Sequence, residues 1–329
     1  MSERFQAYQI GKNDDGQRCT LTQLDDSDLM EGDVTVRVEY TTLNYKDGLA
    51  MTGRSPIVRK FPLTPGIDFS GTVVASEHAD FKQGDQVILN GFGVGEAHSG
   101  GYAQKARVSG DWLVPLPEGL SMRQAMAIGT AGYTAMLCVM ALEDHGVKPD
   151  QGDVLVTGAS GGVGSVAVAI LSKLGYRVVA TTGRMNEKDY LLGLGAADII
   201  DRAGFAEKAR PLAKELWSGA IDVAGGNTLA NVLSQLKYGG AAAICGLAES
   251  MSLPTTVAPF ILRGISMYGI DSVMASIAKR KVAWERLAAD LDLQLLEELS
   301  FDLDFADLAQ AAEDILDGKI RGRAVVKLP

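Results

Sequence analysis

Apolar and polar positions change period several times along the chain, and these changes divide it. Residues 33–40, DVTVRVEY, alternate apolar and polar side chains, the pattern of a strand with one buried face. Residues 68–76 and 86–89 predict further strands, the second following a tight turn at Gly84-Asp85, and residues 111–117 predict a short one. The first 120 residues are thus expected to be β-rich, with a glycine-dense loop at 91–101 long enough to carry function. From Ser121 the period becomes helical. Residues 122–142 predict two apolar helical stretches parted near Gly129-Thr130-Ala131-Gly132, and residues 145–153 a polar connector.

Residues 153–184, DVLVTGASGGVGSVAVAILSKLGYRVVATTGR, compress three elements into one βαβ unit: an apolar run, a glycine-rich turn with an amphipathic helix, and a second apolar run at 177–181. Gly175 stands just past Leu174, where a helix end favours a left-handed residue. Beyond Arg184 the alternation continues. Helices are predicted at 186–194, at 205–217 with Pro211 near a break, and at 228–236, with a short one at 260–263. Strands are predicted at 198–200, 220–224, 241–247 and 265–270. Such alternation implies an α/β fold with a doubly wound parallel sheet, whose ligands bind beyond the carboxyl ends of the strands. That rule draws Leu247, Ser272 and their flanking loops towards the glycine turn. The tail predicts helices at 277–291 and 305–316 and a closing strand at 323–328.

The glycine turn carries the first candidate chemistry. Gly158, Gly161, Gly162 and Gly164 let the backbone approach a pyrophosphate, and the following helix offers free N–H groups and the positive end of its dipole. Against the dinucleotide fingerprint G-x-G-x-x-G there is one departure: Ala159 replaces the first glycine, ahead of Gly161 and Gly164. A strand–helix corner with no ligand is the alternative. The second strand ends in Thr182-Gly183-Arg184, with no acidic residue to hold a ribose hydroxyl. Arg184 suits a 2′-phosphate instead, unless it is simply a solvated surface arginine.

Composition narrows the class. At 329 residues the chain can bury two cores, and 47% hydrophobic with 22% charged residues is a globular profile. A formal charge of −10 argues against nucleic acid as a partner. MSERFQAYQI has no signal-peptide pattern, and no apolar run is expected to approach a membrane span, so no membrane partner is expected. Cys19, Cys138 and Cys245 are odd in number and scattered, which argues against a disulfide framework and for a reduced, cytoplasmic protein.

Several motifs together carry a resemblance. LNYKD at 43–47, PGIDFSGTV at 65–73, GDQV at 84–87, GGYAQKARV around Gly101, GTAGYTA at 129–135, TGASGGVG, LGAADIID at 194–201 and GRAVVKL at 322–328 resemble the medium-chain dehydrogenase/reductase superfamily over essentially the whole chain. Within it the chain looks most like the zinc-free quinone-oxidoreductase branch. NYKD, WLVPLPEGLS, MLCVMALEDHG and LPTTVAPFILRG make it similar to the NADPH-dependent acryloyl-CoA reductase group. The resemblance implies a GroES-like β-rich catalytic domain at 1–125 and 271–329, with a Rossmann domain inserted at 126–270, and a homodimer. By position it implies NADPH contacts at Tyr45, Gly161, Gly162, Val163 and Gly164, at Thr182, Gly183 and Arg184, and at Arg202, Leu247, Ile261, Ser272 and Arg323.

Zinc members of that superfamily carry a glycine-histidine-glutamate motif where this chain reads Gly66-Ile67-Asp68, and a cysteine-rich lobe that is missing here. Three scattered cysteines with His78, His98 and His145 meet neither pattern, so no metal is expected. No G-x-S-x-G signature suggests a serine nucleophile. A hydride donor and a few hydrogen bonds suffice to reduce an activated double bond: hydride adds to the β-carbon of acryloyl-CoA and donors stabilise the enolate, leading to propanoyl-CoA. Asn44, Tyr45 and Asp47 form the compact polar cluster expected to serve catalysis at the nicotinamide end of the interdomain cleft. Alternatively, Asn44 and Asp47 only cap a helix. Two cationic sets could meet the CoA phosphates, Arg54, Arg59 and Lys60 or Lys279, Arg280 and Lys281, though basic runs are usually solvated faces. An NADPH:quinone reductase and a non-catalytic NADPH-binding protein are the competing readings.

Overall fold

A computed structural model describes residues 4–14 and 16–329. The chain forms two compact units. One comprises residues 1–130, 272–288 and 296–329, the other residues 131–271 and 289–295.

The first unit is built on a sheet whose strands run, side by side, Ser300–Asp304, Arg323–Lys327, Val34–Leu43, Asp68–Ser76, Gln86–Asn90 and Val114–Pro115, with Lys105–Val108 also paired to Val34–Leu43. The alternation at 33–40 does what it predicts: Val34, Val36 and Val38 are buried, facing Phe69, Val87, Leu89, Tyr102 and Val326 in one core. The last strand lies antiparallel to the third, Ala324 opposite Leu43. Phe5–Asn13 and Gly16–Leu24 form a separate hairpin. Neither that hairpin, the strand Ser300–Asp304 nor the helix Leu293–Leu299 was expected from periodicity.

The second unit holds a six-stranded sheet, all neighbours parallel, in the order Asp198–Asp201, Val178–Thr182, Asp153–Val156, Trp217–Asp222, Leu236–Ile244, Ser266–Gly269. The strand order reverses beside Asp153–Val156, so the turn after that strand lies at the topological switch point. Helix Gly162–Lys173 follows the glycine turn, and Gly175 ends it with φ +86°.

Three expectations need correction. Residues 205–217 are not a helix. Arg202–Phe205 is one 3₁₀ turn, and the buried Trp217 already opens the next strand. Pro211 has no N–H to give a helix, and the segment's backbone groups find partners elsewhere. Ala213 N donates to Ser234 O, Leu216 N to Gln235 O, and Asn231 Nδ2 to the carbonyls of Phe205 and Glu207. Second, Met122–His145 is long and apolar enough to span a membrane; 83% of its apolar window is buried inside the protein, and Gly129 interrupts it with φ 52°, ψ −162°. Third, the basic run at 279–281 is not one solvated face. Arg280 is 1% exposed, donates to the carbonyls of Asn90, Ser272, Val273 and Ala275, and lies 4.2 Å from the Phe92 ring centroid.

Stripping a donor from buried carbonyls leaves them desolvated and unpaired. Arg280→Ala should therefore lower unfolding stability by about 4 kcal/mol, read as a shifted urea midpoint, whereas Lys281→Ala on the exposed face should leave it unchanged.

Candidate functional site

In the first unit the helix Tyr45–Thr52 starts at Asn44, whose extended backbone (φ −109°, ψ 157°) makes it the N-cap. Asp47, in the first turn, accepts the Asn44 backbone N–H at 2.9 Å and reaches across to accept Ile67 N on its other oxygen, also at 2.9 Å. Capping is only part of the arrangement. The Asn44 amide donates to Thr42 Oγ1, Asp47 Oδ2 and Asp68 Oδ2 at 3.0, 3.1 and 3.0 Å. Asp68 accepts Thr42 Oγ1 at 2.7 Å and Thr130 N at 2.7 Å. Arg323 donates to Ala127 O, Asn44 Oδ1 and Thr42 Oγ1 at 3.0, 3.3 and 3.1 Å.

Asp47 and Asp68 are fully buried, Arg323 is 2% exposed and Asn44 7%. One guanidinium thus faces two carboxyls without solvent. Burial, and next the charge of Asp68, push the Asp47 carboxyl up to about 7, against the opposing bonds from Asn44 and Ile67. Burial lowers the Arg323 pKa, partly offset by Asp68 and Asp47. The cluster also fills the break at Gly129, where a β-carbon would come within 2.4 Å of Arg323 Nη2. Ala127 O and Thr130 N, on either side of the break, bond to Arg323 and Asp68. Tyr45 differs from its neighbours in being 51% exposed. Of the cluster read from the sequence, only Tyr45 presents its side chain to solvent; Asn44 and Asp47 turn inward. Asp68 was passed over, although an acid amid an apolar strand run is a signal for a paired buried charge.

In the second unit Gly161 is the N-cap of helix Gly162–Lys173, and no side chain caps it. A β-carbon at Gly164 would meet Gly158 O at 2.4 Å, so the helix is pressed against the turn as pyrophosphate loops require. The uncapped first-turn N–H groups of Gly162, Val163 and Gly164 fit an anion there. Thr157, at the end of the preceding strand, donates to the buried Asp222 at 2.7 Å and accepts Val223 N at 3.0 Å. Burial raises the Asp222 pKa, and the carboxyl also accepts Gly225 N at 2.7 Å. Neither residue was singled out in the sequence, though polar residues at strand ends are the clue.

Arg184, half-buried, donates to Ser160 O at 3.0 Å and to Ser160 Oγ at 3.1 Å, and its backbone N–H bonds Thr182 Oγ1. Arg202, exposed, lies over Gly183, its Nη2 2.9 Å from where a β-carbon would stand. A serine, a threonine and two arginines thus gather beyond the ends of three adjacent strands, Asp153–Val156, Val178–Thr182 and Asp198–Asp201, a donor set suited to a phosphate monoester. Leu247 and Ile261 are 60% and 73% exposed. Ser272 lies in the first unit, its carbonyl bound to Arg280. Among the described residues, no group of three or more His, Cys, Asp or Glu side chains could hold a metal ion.

Two family models match the chain: an alcohol dehydrogenase GroES-like domain over residues 30–118 and a zinc-binding dehydrogenase over residues 162–289. The chain is 54% identical over 325 residues to the acrylyl-CoA reductase AcuI of Ruegeria pomeroyi, covering 98% of each protein. It is 46% identical over 330 residues to the putative quinone oxidoreductase YhfP of Bacillus subtilis, covering 100% of each. The crystal structure of the yhdH oxidoreductase from Salmonella enterica in complex with NADP superposes with a TM-score of 0.97 at 52% identity, over 98% of this chain and 100% of that one.

Folding raises the Asp47 pKa above the value near 4 of an unfolded carboxyl, so the native state holds a proton that the unfolded chain releases. The stabilisation tied to that proton is complete below about pH 4 and lost as pH rises through about 7. The urea midpoint should fall between pH 5 and pH 8, and Asp47→Asn should flatten that slope.

Proposed function

The chain belongs to the medium-chain dehydrogenase/reductase superfamily, in its quinone-oxidoreductase-like branch, and from that premise we propose that it reduces the carbon–carbon double bond of acryloyl-CoA with NADPH, forming propanoyl-CoA. The observation that carries this reading is the 54% identity to an acrylyl-CoA reductase along 98% of both chains. The grouping of Ser160, Thr182, Arg184 and Arg202 supports NADPH over NADH, since these residues can bind a 2′-phosphate and offer no carboxylate for a ribose hydroxyl.

Bound NADPH would supply the hydride for the β-carbon. The chain's own part is to orient both molecules and to meet the charge that grows on the thioester oxygen. Tyr45 is the exposed donor for that oxygen or for the nicotinamide ribose. Asn44, Asp47 and Arg323 act behind it as positioning residues, because their polar atoms are spent on one another. Gly161 to Gly164 take the pyrophosphate, and Leu247, Ile261 and Ser272 complete the cofactor contacts. No metal takes part: Ile67 and Asp68 stand where zinc members carry histidine and glutamate. The residues of 1–125 and 271–329 form the catalytic domain and those of 126–270 the cofactor domain. The protein works in the cytoplasm as a homodimer, without nucleic acid or membrane. Its free cysteines suit a reducing compartment, and the edge strand Ser266–Gly269, with Tyr268 36% exposed, suits pairing with a second copy. The identity to YhfP favours a second reading, NADPH:quinone reduction.

A substrate panel decides between them. NADPH oxidation should proceed with acryloyl-CoA and form propanoyl-CoA; turnover with a quinone alone selects the second reading, and turnover with neither overturns both. Arg184→Ala should weaken NADPH binding by about 2 kcal/mol, the scale of a charge-assisted hydrogen bond, and leave NADH nearly untouched. Equal losses would mean that Arg184 supports the loop through Ser160 and does not read the phosphate. Tyr45→Phe should slow single-turnover hydride transfer about a hundredfold at an unchanged melting temperature. Unchanged transfer would remove Tyr45 from the chemistry.

A further inference from the structure

Six cations could be matched to the CoA phosphates from the sequence, and the structure separates them by what they already hold and by what anchors them. Arg280 is buried against four carbonyls. Arg54 pairs with Glu313 and Asp317. Lys279 and Lys281 are exposed on the helix Ile277–Asp290 and form no ion pair among the described residues. They flank the buried Arg280, whose bonds hold that helix to the carbonyls of Ser272 and Val273 and not to the Tyr45 turn, so they are set aside by position and not by charge. Arg59 and Lys60 remain. Both are exposed, and among the described residues neither forms an ion pair.

Their loop is anchored. Val58 and Leu63, on either side, are buried with Ile10 and Ala50 in a small core of their own. Ile10 and Leu63 exchange backbone hydrogen bonds of 2.7 and 3.0 Å, fixing the segment alongside the first strand of the hairpin. That pairing brings in a third exposed cation, Lys12, whose ammonium lies 5.8 Å from the Phe61 ring centroid. Arg59 N donates to Glu96 O at 2.7 Å, and the same Glu96, 8% exposed, pairs through its carboxylate with Lys46, the residue after Tyr45. The cationic loop and the Tyr45 turn are therefore held to one buried residue.

We propose that Lys12, Arg59 and Lys60 bind the phosphates of coenzyme A and thereby make this protein selective for CoA thioesters over shorter ones. This rests on the acryloyl-CoA reading above. A chain of net charge −10 repels a polyanion on average, so uncompensated cations on a fixed loop are what local attraction requires. The chemistry recognised is a phosphate cluster, which CoA and NADPH both carry; the geometry favours CoA because this loop is tied to the substrate turn, whereas Arg184 and Arg202 lie with the glycine loop.

Calorimetric titration with free coenzyme A tests this without turnover. The double variant Arg59→Ala, Lys60→Ala should bind CoA about tenfold more weakly or worse, with an unchanged NADPH dissociation constant and melting temperature. Lys281→Ala should bind CoA as the parent does. An unaltered CoA affinity in the double variant, absent binding by the parent, or a loss for NADPH instead of CoA each overturns the proposal. Parental turnover of acryloyl-N-acetylcysteamine is measured in parallel. If the parent reduces that truncated thioester while the double variant binds CoA normally, the subsite fails and the reductase reading survives. If the double variant loses CoA while the parent reduces no thioester, the subsite stands and the reductase reading fails.

Discussion

Two carboxyls and a guanidinium, Asp47, Asp68 and Arg323, share one dry pocket in the first unit, and their need for partners organises what surrounds them. A charge removed from water must be matched by opposite charge and hydrogen bonds or the fold does not keep it. Here the matching groups come from four parts of the chain: the Val34–Leu43 strand through Thr42, the helix start at Asn44, the strand Asp68–Ser76, and the last strand through Arg323. The broken helix is a fifth contributor, since its interrupted backbone offers the carbonyl of Ala127 and the N–H of Thr130. Gly129 is needed there because a side chain would occupy the place of the guanidinium.

The second unit solves a simpler problem with backbone groups. Its glycine turn leaves the helix N-terminus uncapped, and buried Thr157 and Asp222 hold the adjoining strand ends together beneath it. Such backbone geometry suits an anion without the help of any single side chain. Arg184 beside it is already oriented by Ser160, so its side chain has little freedom left to lose.

Cations in this protein divide by environment more sharply than by residue type. Arg280 and Arg323 are interior ties whose planar guanidinium reaches several carbonyl or side-chain oxygens at once, which a lysine ammonium could not do in the same space. Arg54 and Arg123 close surface ion pairs of little energetic consequence.

Local pattern alone determined much of this. The βαβ unit at 153–184, the alternating run at 33–40, the break at Gly129 and the parallel sheet all follow from side-chain period and glycine placement, which act within a few residues. Pattern failed where tertiary partners outweigh propensity. Residues 205–217 read as helical, yet Asn231, Ser234 and Gln235 take up their backbone groups and Trp217 joins the sheet. The polar cluster was legible at Asn44, Tyr45 and Asp47, but which of them face solvent was not. That depends on Asp68 and Arg323, 24 and 279 residues from Asn44, and on burial that raises one carboxyl and ties the guanidinium. Sequence spacing carries no record of which charges will share a pocket, because desolvation and pairing exist only once the strands have met.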